Sequence, residues 1–471
     1  MDTKKLRQKI LDLAIHGKLV PQDPNDEPAS VLLERIKAEK ERLIKEGKIK
    51  GSKKSAKASD TPHYEQVKLE VPNSWYMVSV SDLFLLNPKS ELDDNMKVGF
   101  IPMALVEDGF SGNHFYEERT WKDVKRGYCH FQNGDIGIAK ISPCFENRKS
   151  TIFKNLPNTY GAGTTELVIL RPIKVYTKFY LYLFKSDWYV KEGTKYFKGV
   201  VGQQRVHKEI FTDLHIPLPP FAEQQRIVEE IEYWFALIDQ IEQDKSDLQT
   251  AIRQTKSKIL DLAIHGKLVP QNPNDEPASE LLKRINPKAE ITCDNGHYPV
   301  GWIDVILGDI FYHNTGKALN SSNKEGVLRN YLTTSNVYWN QFDLSLVKQM
   351  PFRDNELEKC TVQKGDLLVC EGGDVGRSAI WNFDYNICIQ NHIHRLRPKG
   401  DLNVSFYYYV LRFLKEHNRI GGKGIGLLGL SSNELHKIGM PLPPRKEQDR
   451  IVLKIEELFS VLDNIQNALE A

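Results

Sequence analysis

The strongest constraint on the fold is that the chain contains two long segments twice. The segment ILDLAIHGKLVPQDPNDEPAS begins at Ile10, and almost the same segment, ILDLAIHGKLVPQNPNDEPAS, begins at Ile259, 249 positions later. A second pair begins with IPLPP at Ile216 and MPLPP at Met440, 224 positions apart. Internal repeats indicate a repeated structural unit. The sequence therefore predicts two copies of one unit, each with a variable block between nearly identical ends.

The two offsets also predict the order in which the units are joined. The offset of 249 carries Met1 onto Thr250, and the offset of 224 carries Ala471 onto Asp247. Both chain ends thus correspond to neighbouring positions in the middle of the chain. We expect a pseudo-two-fold repeat with circular order, equivalent to a closed ring of two units that has been cut once.

The repeated ends have the pattern of long helices. Two prolines, Pro219 and Pro220, suit the start of a helix. Apolar residues then recur at alternating spacings of four and three, which is typical of a coiled-coil seam. These residues are Ile227, Ile231, Trp234, Ile238 and Ile241, then Leu248, Ile252, Ile259 and Leu262, and in the second copy Ile451, Ile455, Leu458, Leu462, Ile465 and Leu469. We expect a central helix over 221–265, paired antiparallel with helices over 3–16 and 445–471.

Short alternating strands separated by Gly, Asn and Pro fill the two variable blocks, which indicates α+β domains. The sequence divides the chain into six parts: a conserved helical segment 1–36, a basic linker 37–61, a first variable block 62–215, a central helical region 216–285, a second variable block 286–439 that opens with a short linker, and a conserved helix 440–471. One variable block is expected at each end of the paired helices.

Composition and charge narrow the function. Of the 471 residues 27% are charged and 40% hydrophobic, and neither a membrane span nor a signal peptide is recognisable, so we expect a cytoplasmic protein. The six cysteines form no CxxC pair, which favours reduced thiols. The net charge is only +2, yet residues 37–59 carry a local +6 and residues 221–251 a local −6. One region suits phosphates and another suits a protein partner.

No motif of a catalytic site is found. The LPPF string at Leu218 is similar to the motif of amino-methyltransferases, but leucine replaces the side chain that must accept a hydrogen bond from the target amine. The glycine-rich GGKGIG at 421 follows a helical pattern, which is the wrong context for a nucleotide fingerprint. Asp12 and His16 have the spacing of a metal pair, but a helix-capping role explains His16 before Gly17. We therefore expect no catalytic and no metal-binding residues.

The repeated segments resemble the specificity subunit of type I restriction-modification enzymes, along essentially the whole chain. The resemblance implies two target-recognition domains separated by two long antiparallel helices, and no enzymatic activity. It implies double-stranded DNA, two methyltransferase subunits and restriction subunits as partners. Adenine methylation would use S-adenosylmethionine, and translocation and cleavage would use ATP and Mg²⁺, all in partner subunits. Because the two blocks differ, the expected DNA target is bipartite and asymmetric. The alternative is a two-headed DNA-binding adaptor without enzyme partners.

Candidate DNA-contacting residues come from loops that resemble recognition-domain patterns, and from amide and guanidinium side chains suited to base edges. In the first domain they are Lys140, Ser142, Asn147, Arg148, Thr164, Thr165, Glu166, Gln203, Gln204 and Arg205. In the second domain they are Glu371, Arg377, Gln390, Asn391, His392 and Lys423. For each one, the alternative is a solvated or structural polar group.

Overall fold

The computed structural model describes residues 2–49, 69–195, 197–199, 204–289, 298–319, 325–420 and 430–470. It divides the chain into two compact units, Met1–Asp244 and Lys245–Ala471. Among the described residues, no helix combines the length and the apolar character that crossing a membrane requires.

The first unit contains most of its helices at its two sequence ends and its strands between them. Its helices are α1 (Thr3–Ile15), α2 (Ala29–Lys45), α3 (Val80–Leu83), α4 (Trp121–Val124), α5 (Thr177–Phe184), α6 (Asp187–Thr194) and the beginning of α7 (Phe221–Ile264). Its strands are β1 (Tyr76–Ser79), β2 (Phe84–Leu86), β3 (Lys97–Ile101), β4 (Glu117–Thr120), β5 (Cys129–Gln132), β6 (Ile136–Ala139), β7 (Ser150–Ile152), β8 (Tyr160–Gly163), β9 (Leu167–Pro172) and β10 (His215–Leu218). Short 3-10 turns lie at Met103–Leu105, Pro157–Thr159 and Lys208–Phe211.

The second unit begins within α7 and repeats this order, with one additional two-stranded sheet. Its further helices are α8 (Ala278–Ile285), α9 (Leu307–Ile310), α10 (Asp354–Cys360), α11 (Val404–Glu416), α12 (Ser432–His436) and α13 (Arg445–Glu470). Its strands are β11 (Ile303–Ile306), β12 (Phe311–Thr315), β13 (Val327–Leu332), β14 (Val337–Tyr338), β15 (Gln341–Phe342), β16 (Lys348–Phe352), β17 (Thr361–Val362), β18 (Leu367–Cys370), β19 (Ser378–Ile380), β20 (Ile387–Ile389), β21 (Ile393–Pro398) and β22 (Gly439–Leu442). A 3-10 turn lies at Thr334–Asn336.

The sheets of the two units have the same strand order. The first unit has a four-stranded sheet β2-β9-β6-β7 and a second one, β4-β3-β8-β5. The second unit has β12-β21-β18-β19 and β16-β13-β20-β17. In each unit one pair of neighbours, β3 with β8 and β13 with β20, is parallel, while the other pairs are antiparallel. The predicted α+β class and the internal repeat are therefore confirmed.

An ion pair holds the central strands of the first of these sheets at the same place in both units. The buried Asp135 carboxylate accepts two hydrogen bonds from Arg171, at 2.9 and 2.8 Å. Asp366 accepts two from Arg397, at 2.8 and 2.7 Å. Each aspartate precedes β6 or β18 and each arginine lies on β9 or β21, so the bidentate pair fixes one strand against its neighbour.

Within each unit, two helices from the repeated segments pair antiparallel, as predicted. Arg7 on α1 donates to Asp239 on α7 at 2.8 Å, and farther along the chain Gln22 donates to Glu223, near the start of α7. As the chain advances from Arg7 to Gln22, its partners on α7 move back from Asp239 to Glu223, so the two segments are antiparallel. In the second unit, the equivalent pairs are Lys256 with Asp463 and Gln271 with Glu447. The two offsets read from the sequence thus map one helix pair onto the other.

The predicted coiled-coil seam is wrong at several positions. Ile227, Ile231 and Ile238 are buried, but Phe235 fills the next core position, whereas Trp234 is 41% exposed. Ile241, Leu248 and Ile465 are also exposed. At Trp234 and Phe235 the reason is that α7 packs its buried face into the core of the recognition domain as well as against α1. A helix that packs against a domain buries a broader stripe than a two-helix seam does.

The glycine after each repeated helix has the structure that the sequence predicts. Gly17 and Gly266 have φ angles of 63° and 65°, in the left-handed region. A Cβ atom at Gly17 would lie 2.5 Å from Pro72 Cγ, and one at Gly266 would lie 2.4 Å from Pro299 Cγ. The His16 and His265 Nδ1 atoms lie 2.7 and 2.8 Å from the carbonyl oxygens four residues earlier. The histidines thus satisfy carbonyl groups at the helix ends.

The basic stretch begins inside a helix. Helix α2 continues to Lys45, so the part of the predicted linker over 37–45 is helical. Arg42 stabilises this turn by pairing with Glu39 and Glu46, each at 2.6 Å, three and four residues away. The rest of the basic linker, from 50 to 61, lies outside the described residues.

Candidate nucleic-acid interface

In the first recognition domain, three separate chain segments meet at one surface. The Lys140 N–H, just after β6, donates to the Glu166 carbonyl at 2.9 Å. The Val206 N–H donates to the Lys140 carbonyl at 2.8 Å. The Ser142 N–H donates to the Gln204 carbonyl at 2.8 Å. These backbone bonds bring together candidate residues that are up to 65 positions apart in the sequence.

Two of the converging side chains form a charged pair. Arg205 donates from Nη2 to Glu166 Oε1 at 2.7 Å and from Nε to Oε2 at 3.0 Å. The Arg205 guanidinium lowers the pKa of Glu166, and the Glu166 carboxylate raises the pKa of Arg205. About half of the Arg205 side chain is exposed, so the pair orients a guanidinium whose remaining N–H groups face solvent.

The same segments carry three hydroxyl side chains, at Ser142, Thr164 and Thr165. The Ser142 Oγ donates to Glu146 Oε1 at 3.1 Å, and the Thr164 Oγ1 accepts the Glu166 N–H at 3.2 Å. Thr165, which lies between Thr164 and Glu166 in the sequence, is exposed. The structure therefore brings Lys140, Ser142, Gln204 and Arg205 together with the loop 164–166, as one polar surface that we call cluster 1.

Arg148 and Asn147 do not belong to cluster 1. The Arg148 guanidinium donates to the Lys185 carbonyl at 3.0 Å and pairs with Asp187 on α6, and only 12% of its side chain is exposed. These contacts favour a structural role for Arg148, and its role as a base-contacting residue stays a prediction. Asn147 is exposed, and its carbonyl accepts the Gly109 N–H at 2.8 Å.

The second domain repeats the backbone frame of cluster 1. The Glu371 N–H, just after β18, donates to the His392 carbonyl at 2.9 Å, and the Leu430 N–H donates to the Glu371 carbonyl at 2.9 Å. Glu371 is thus equivalent to Lys140, His392 to Glu166, and Leu430 to Val206. The equivalent loop, 390–392, is also bonded to the end of β13, because the Gln390 N–H donates to the Leu332 carbonyl at 3.0 Å.

The side chains on this second frame have different chemistry. The Glu371 carboxylate lies 3.3 Å from the His392 Nδ1. The Asn391 N–H donates to the Lys317 carbonyl at 3.0 Å, which fixes the loop between Gln390 and His392. We call Glu371 and the loop 390–392 cluster 2. A lysine in cluster 1 is thus replaced by a glutamate, and a glutamate by a histidine.

Arg377 is also a structural residue. Its Nη2 donates to the Thr334 carbonyl at 2.5 Å, and its guanidinium lies over the Tyr338 ring. In the first domain, Lys149 occupies the equivalent place and donates to the carbonyls of Met103 and Val106, at 3.3 and 2.9 Å. Both cations hold a 3-10 turn, which favours a structural role for Arg377, and its role as a base-contacting residue stays a prediction.

Two candidates, Gln203 and Lys423, lie outside the described residues, as does the glycine-rich segment at 421. Sequence reasoning missed the supporting pairs Asp135–Arg171 and Asp366–Arg397. The signal was present, since the GD of NGDIGIAK and KGDLLVCE and the RP of ELVILRP and HIHRLRP are the same in both copies.

The repeated LPP segments have a structural role. Leu218 and Leu442 are fully buried at the ends of β10 and β22. The Gln224 Nε2 donates to the Pro219 carbonyl at 2.8 Å, and the Gln448 Nε2 donates to the Pro443 carbonyl at 3.0 Å. In the described parts of the chain, no group of three or more His, Cys, Asp or Glu side chains is placed to hold a metal ion.

One backbone frame, present twice and carrying different polar side chains, defines a recognition protein with two heads. Comparisons with known proteins agree with this class. The family model described as "Type I restriction modification DNA specificity domain" matches residues 72–250 and 299–471. The chain belongs to the family of type I restriction enzyme specificity subunits.

The similarity extends over the whole chain. The chain is 34% identical to the Type I restriction enzyme EcoAI specificity subunit of Escherichia coli, covering 98% of this chain and 90% of that protein. It is 33% identical to the EcoEI specificity subunit of Escherichia coli, covering 99% and 91%.

Two solved structures share the fold. One is from a study of complex assembly and conformational transition of the type I R-M system, with a TM-score of 0.60, 18% identity, and coverage of 85% of this chain and 93% of that one. The other is the HsdS subunit from Thermoanaerobacter tengcongensis, with a TM-score of 0.55, 18% identity, and coverage of 84% and 92%.

Proposed function

We propose that this chain is the DNA-reading subunit of a type I restriction-modification complex. Each recognition domain reads one half of a bipartite, asymmetric DNA target. The observation that carries the proposal is that clusters 1 and 2 share their backbone hydrogen bonds while their side chains differ in charge. A protein that read the same half-site twice would need the same side chains in both clusters.

The side chains of the two clusters suit different base edges. Arg205 has the guanidinium that recognises guanine by two hydrogen bonds, and Gln204 has the amide that pairs with adenine. In cluster 2, Glu371 can accept a hydrogen bond from the cytosine amino group, and Gln390 and Asn391 offer amides. Lys140, Ser142, Thr165 and His392 add donors and acceptors. We assign base contacts to these residues, and phosphate or structural roles to the other candidates.

In this proposal, the helices from the repeated segments bind the partner subunits. The local −6 charge of residues 221–251 lies entirely within helix α7, and Tyr233, Trp234 and Leu237 are exposed beside the acidic residues. Exposed aromatic and aliphatic side chains on one helix face are typical of protein interfaces, whereas negative charge disfavours DNA. We assign this face to the two methyltransferase subunits, with the restriction subunits completing the complex.

The chain itself acts without catalysis in this proposal. The cofactors S-adenosylmethionine, ATP and Mg²⁺ belong to the partner subunits, which methylate adenine and translocate and cleave DNA. The LPP segments support this assignment, because Leu218 and Leu442 are buried and the carbonyls of Pro219 and Pro443 accept hydrogen bonds within the domains. A target in cellular DNA and unpaired cysteine thiols favour the cytoplasm as the place of action.

Reconstitution tests this function. The purified chain, the methyltransferase subunits and their combination are each incubated with DNA and labelled S-adenosylmethionine. We expect methyl transfer at a defined bipartite sequence only in the combination. Methyl transfer by the chain alone would contradict the proposal. Stable DNA binding by a chain that never co-purifies with a methyltransferase would favour the two-headed adaptor instead.

A substitution in cluster 1 tests the division between the domains. Arg205→Gln removes the guanidinium, and the matched control Arg126→Gln removes an exposed arginine elsewhere in the same domain. We expect Arg205→Gln to cost about 1–3 kcal/mol of specific binding and to relax or change one half-site only. Sequencing of the methylated sites measures this. A change in both half-sites, or the same change in the control, would count against the assignment.

A further inference from the structure

The two recognition domains differ sharply at one buried position of their shared sheet. Ile169 on β9 is fully buried and pairs with Gly137 of β6. At the equivalent position on β21, Arg395 pairs with Leu368 of β18 and is only 3% exposed. The second domain therefore contains a buried cation where the first domain has an ordinary apolar core residue.

Backbone carbonyls, rather than a carboxylate, accept the hydrogen bonds that the structure shows for Arg395. Its Nη1 donates to the backbone carbonyls of Glu358 and Thr361, at 2.9 and 2.5 Å. Its Nε is buried without an acceptor. None of the ion pairs between described residues includes Arg395, whereas the neighbouring Arg397 is paired with Asp366. Burial, together with the charge of Arg397, lowers the pKa of Arg395. The carboxylates of Asp366 and Glu358 act on Arg395 only through longer-range electrostatics, so the guanidinium has no anion within ion-pair distance among the described residues.

Arg395 lies at the wall of an open cavity. The cavity has a volume of about 470 Å³, and its lining includes Arg395, Arg397, Lys359, Asn314 and Asn355. Tyr312 and Glu358 complete the lining. The lining thus includes three basic residues, of which Arg397 is paired with Asp366, together with two asparagines and one glutamate. Guanidinium and amide N–H groups are the donors that bind phosphate oxygens.

We propose that this cavity binds an oxyanion of the phosphate class, which supplies the negative charge that Arg395 lacks. The source that the geometry favours is a backbone phosphodiester of the DNA bound by the second domain, so this inference rests on the proposed function. Arg395 follows His392 of cluster 2 by three residues on an extended strand, or about 10 Å. DNA that contacts cluster 2 presents several phosphates within that distance.

A phosphate contact here has a different role from cluster 2. It fixes the position of the DNA on the second domain and carries no sequence information. The first domain has Ile169 at the same place, so it must position its half-site by other contacts. The two recognition domains thus hold the DNA backbone through different contacts.

The first domain supplies the variant for the test. Arg395→Ile introduces the residue that the same sheet position accepts in the first domain, and Arg395→Met serves as a second variant if the isoleucine disturbs folding. The control Lys364→Gln removes one positive charge from an exposed ion pair with Asp384 in the same domain. All variants are studied as the full chain in complex with the methyltransferase subunits.

The first measurement is the salt dependence of DNA binding. For the wild type and Lys364→Gln we expect the same slope of log affinity against log salt. For the Arg395 variants we expect a slope smaller by about 0.9, the loss of one phosphate contact, with an unchanged methylated sequence. The second measurement is thermal unfolding with inorganic phosphate against chloride at equal ionic strength, where phosphate should stabilise the wild type and not the Arg395 variants.

The two measurements distinguish the sources of the oxyanion. A change in the DNA slope identifies the phosphodiester, and an effect confined to inorganic phosphate identifies a free anion. If correctly folded Arg395 variants match the wild type in both measurements, the cavity is not an oxyanion site. A failure of the proposed function gives another result: the wild-type complex itself then shows no sequence-specific DNA binding.

Discussion

Lys140 stands in the loop after β6 of the first recognition domain, and Glu371 stands at the same place after β18 of the second. The loops have the same hydrogen bonds, since each residue donates its N–H to the carbonyl of the residue before β9 or β21. Their side chains have opposite charges. The shared backbone frame of the two clusters is therefore held by backbone groups and by a buried Asp–Arg pair. The side chains of the clusters can differ without changing that frame.

The largest expected effect tests the shared frame. Asp135→Ala and Asp366→Ala each leave a partly buried arginine without its carboxylate, which should cost about 3–5 kcal/mol of the free energy of unfolding. We expect the two losses to be similar, because both pairs have the same geometry. Denaturant unfolding measures them, with the exposed Asp384→Ala as the control. A large loss in one domain and none in the other would break the equivalence of the two frames.

The next largest effect tests whether the side chains of the two clusters can be exchanged without changing the shared backbone frame. Glu371→Lys places the residue of cluster 1 on the frame of cluster 2. We expect specific binding to weaken by about 1–3 kcal/mol, with the half-site of the second domain lost or altered and the other half-site unchanged. Sequencing of methylated sites in the reconstituted complex reads both halves. An unchanged second half-site would remove Glu371 from the set of base-contacting residues.

A pH effect distinguishes the cores of the two domains. Burial, with the neighbouring His394 and His436, lowers the pKa of His313 to about 4, whereas the equivalent residue of the first domain is Leu86. The unfolded chain takes up this proton near pH 6.5 and the folded chain only near pH 4, so stability contributed by the neutral ring is lost as pH falls through that interval.

The variant His313→Leu should abolish this part of the pH dependence. We expect the difference from the wild type to be on the order of 1 kcal/mol between pH 6.5 and pH 4, reduced by the partial exposure of the ring. Unfolding curves at several pH values measure it. Identical pH profiles for the wild type and the variant would show that the three histidines do not form such a cluster.

The smallest effect separates recognition from stability. The Glu166–Arg205 pair lies at the surface, so Arg205→Gln should change the free energy of unfolding by less than about 1 kcal/mol, although it changes DNA recognition. Denaturant unfolding of this variant is the measurement. A loss of several kcal/mol would mean that the pair holds the three segments together, and its effect on recognition would then be indirect.

Much of the architecture could be predicted from the sequence, because duplication and periodicity are local properties of a chain. The two offsets predicted equivalent units, and the structure maps Arg7–Asp239 onto Lys256–Asp463 with them. The central helix, expected over 221–265, spans Phe221–Ile264. The strands of NGDIGIAK and KGDLLVCE are β6 and β18, and Gly17 and Gly266 end their helices.

The tertiary structure alone decided which side chains meet. Periodicity placed Trp234 in the seam, but Phe235 is the buried residue because the recognition domain covers that side of α7. The motifs nominated Arg148 and Arg377 together with Arg205, and only the fold shows that the first two donate to the domain interior. Arg205 meets Glu166 across 39 residues of sequence. Spacing along a chain sets helices and strands, whereas the packing of distant segments sets which charges are paired and which face the DNA.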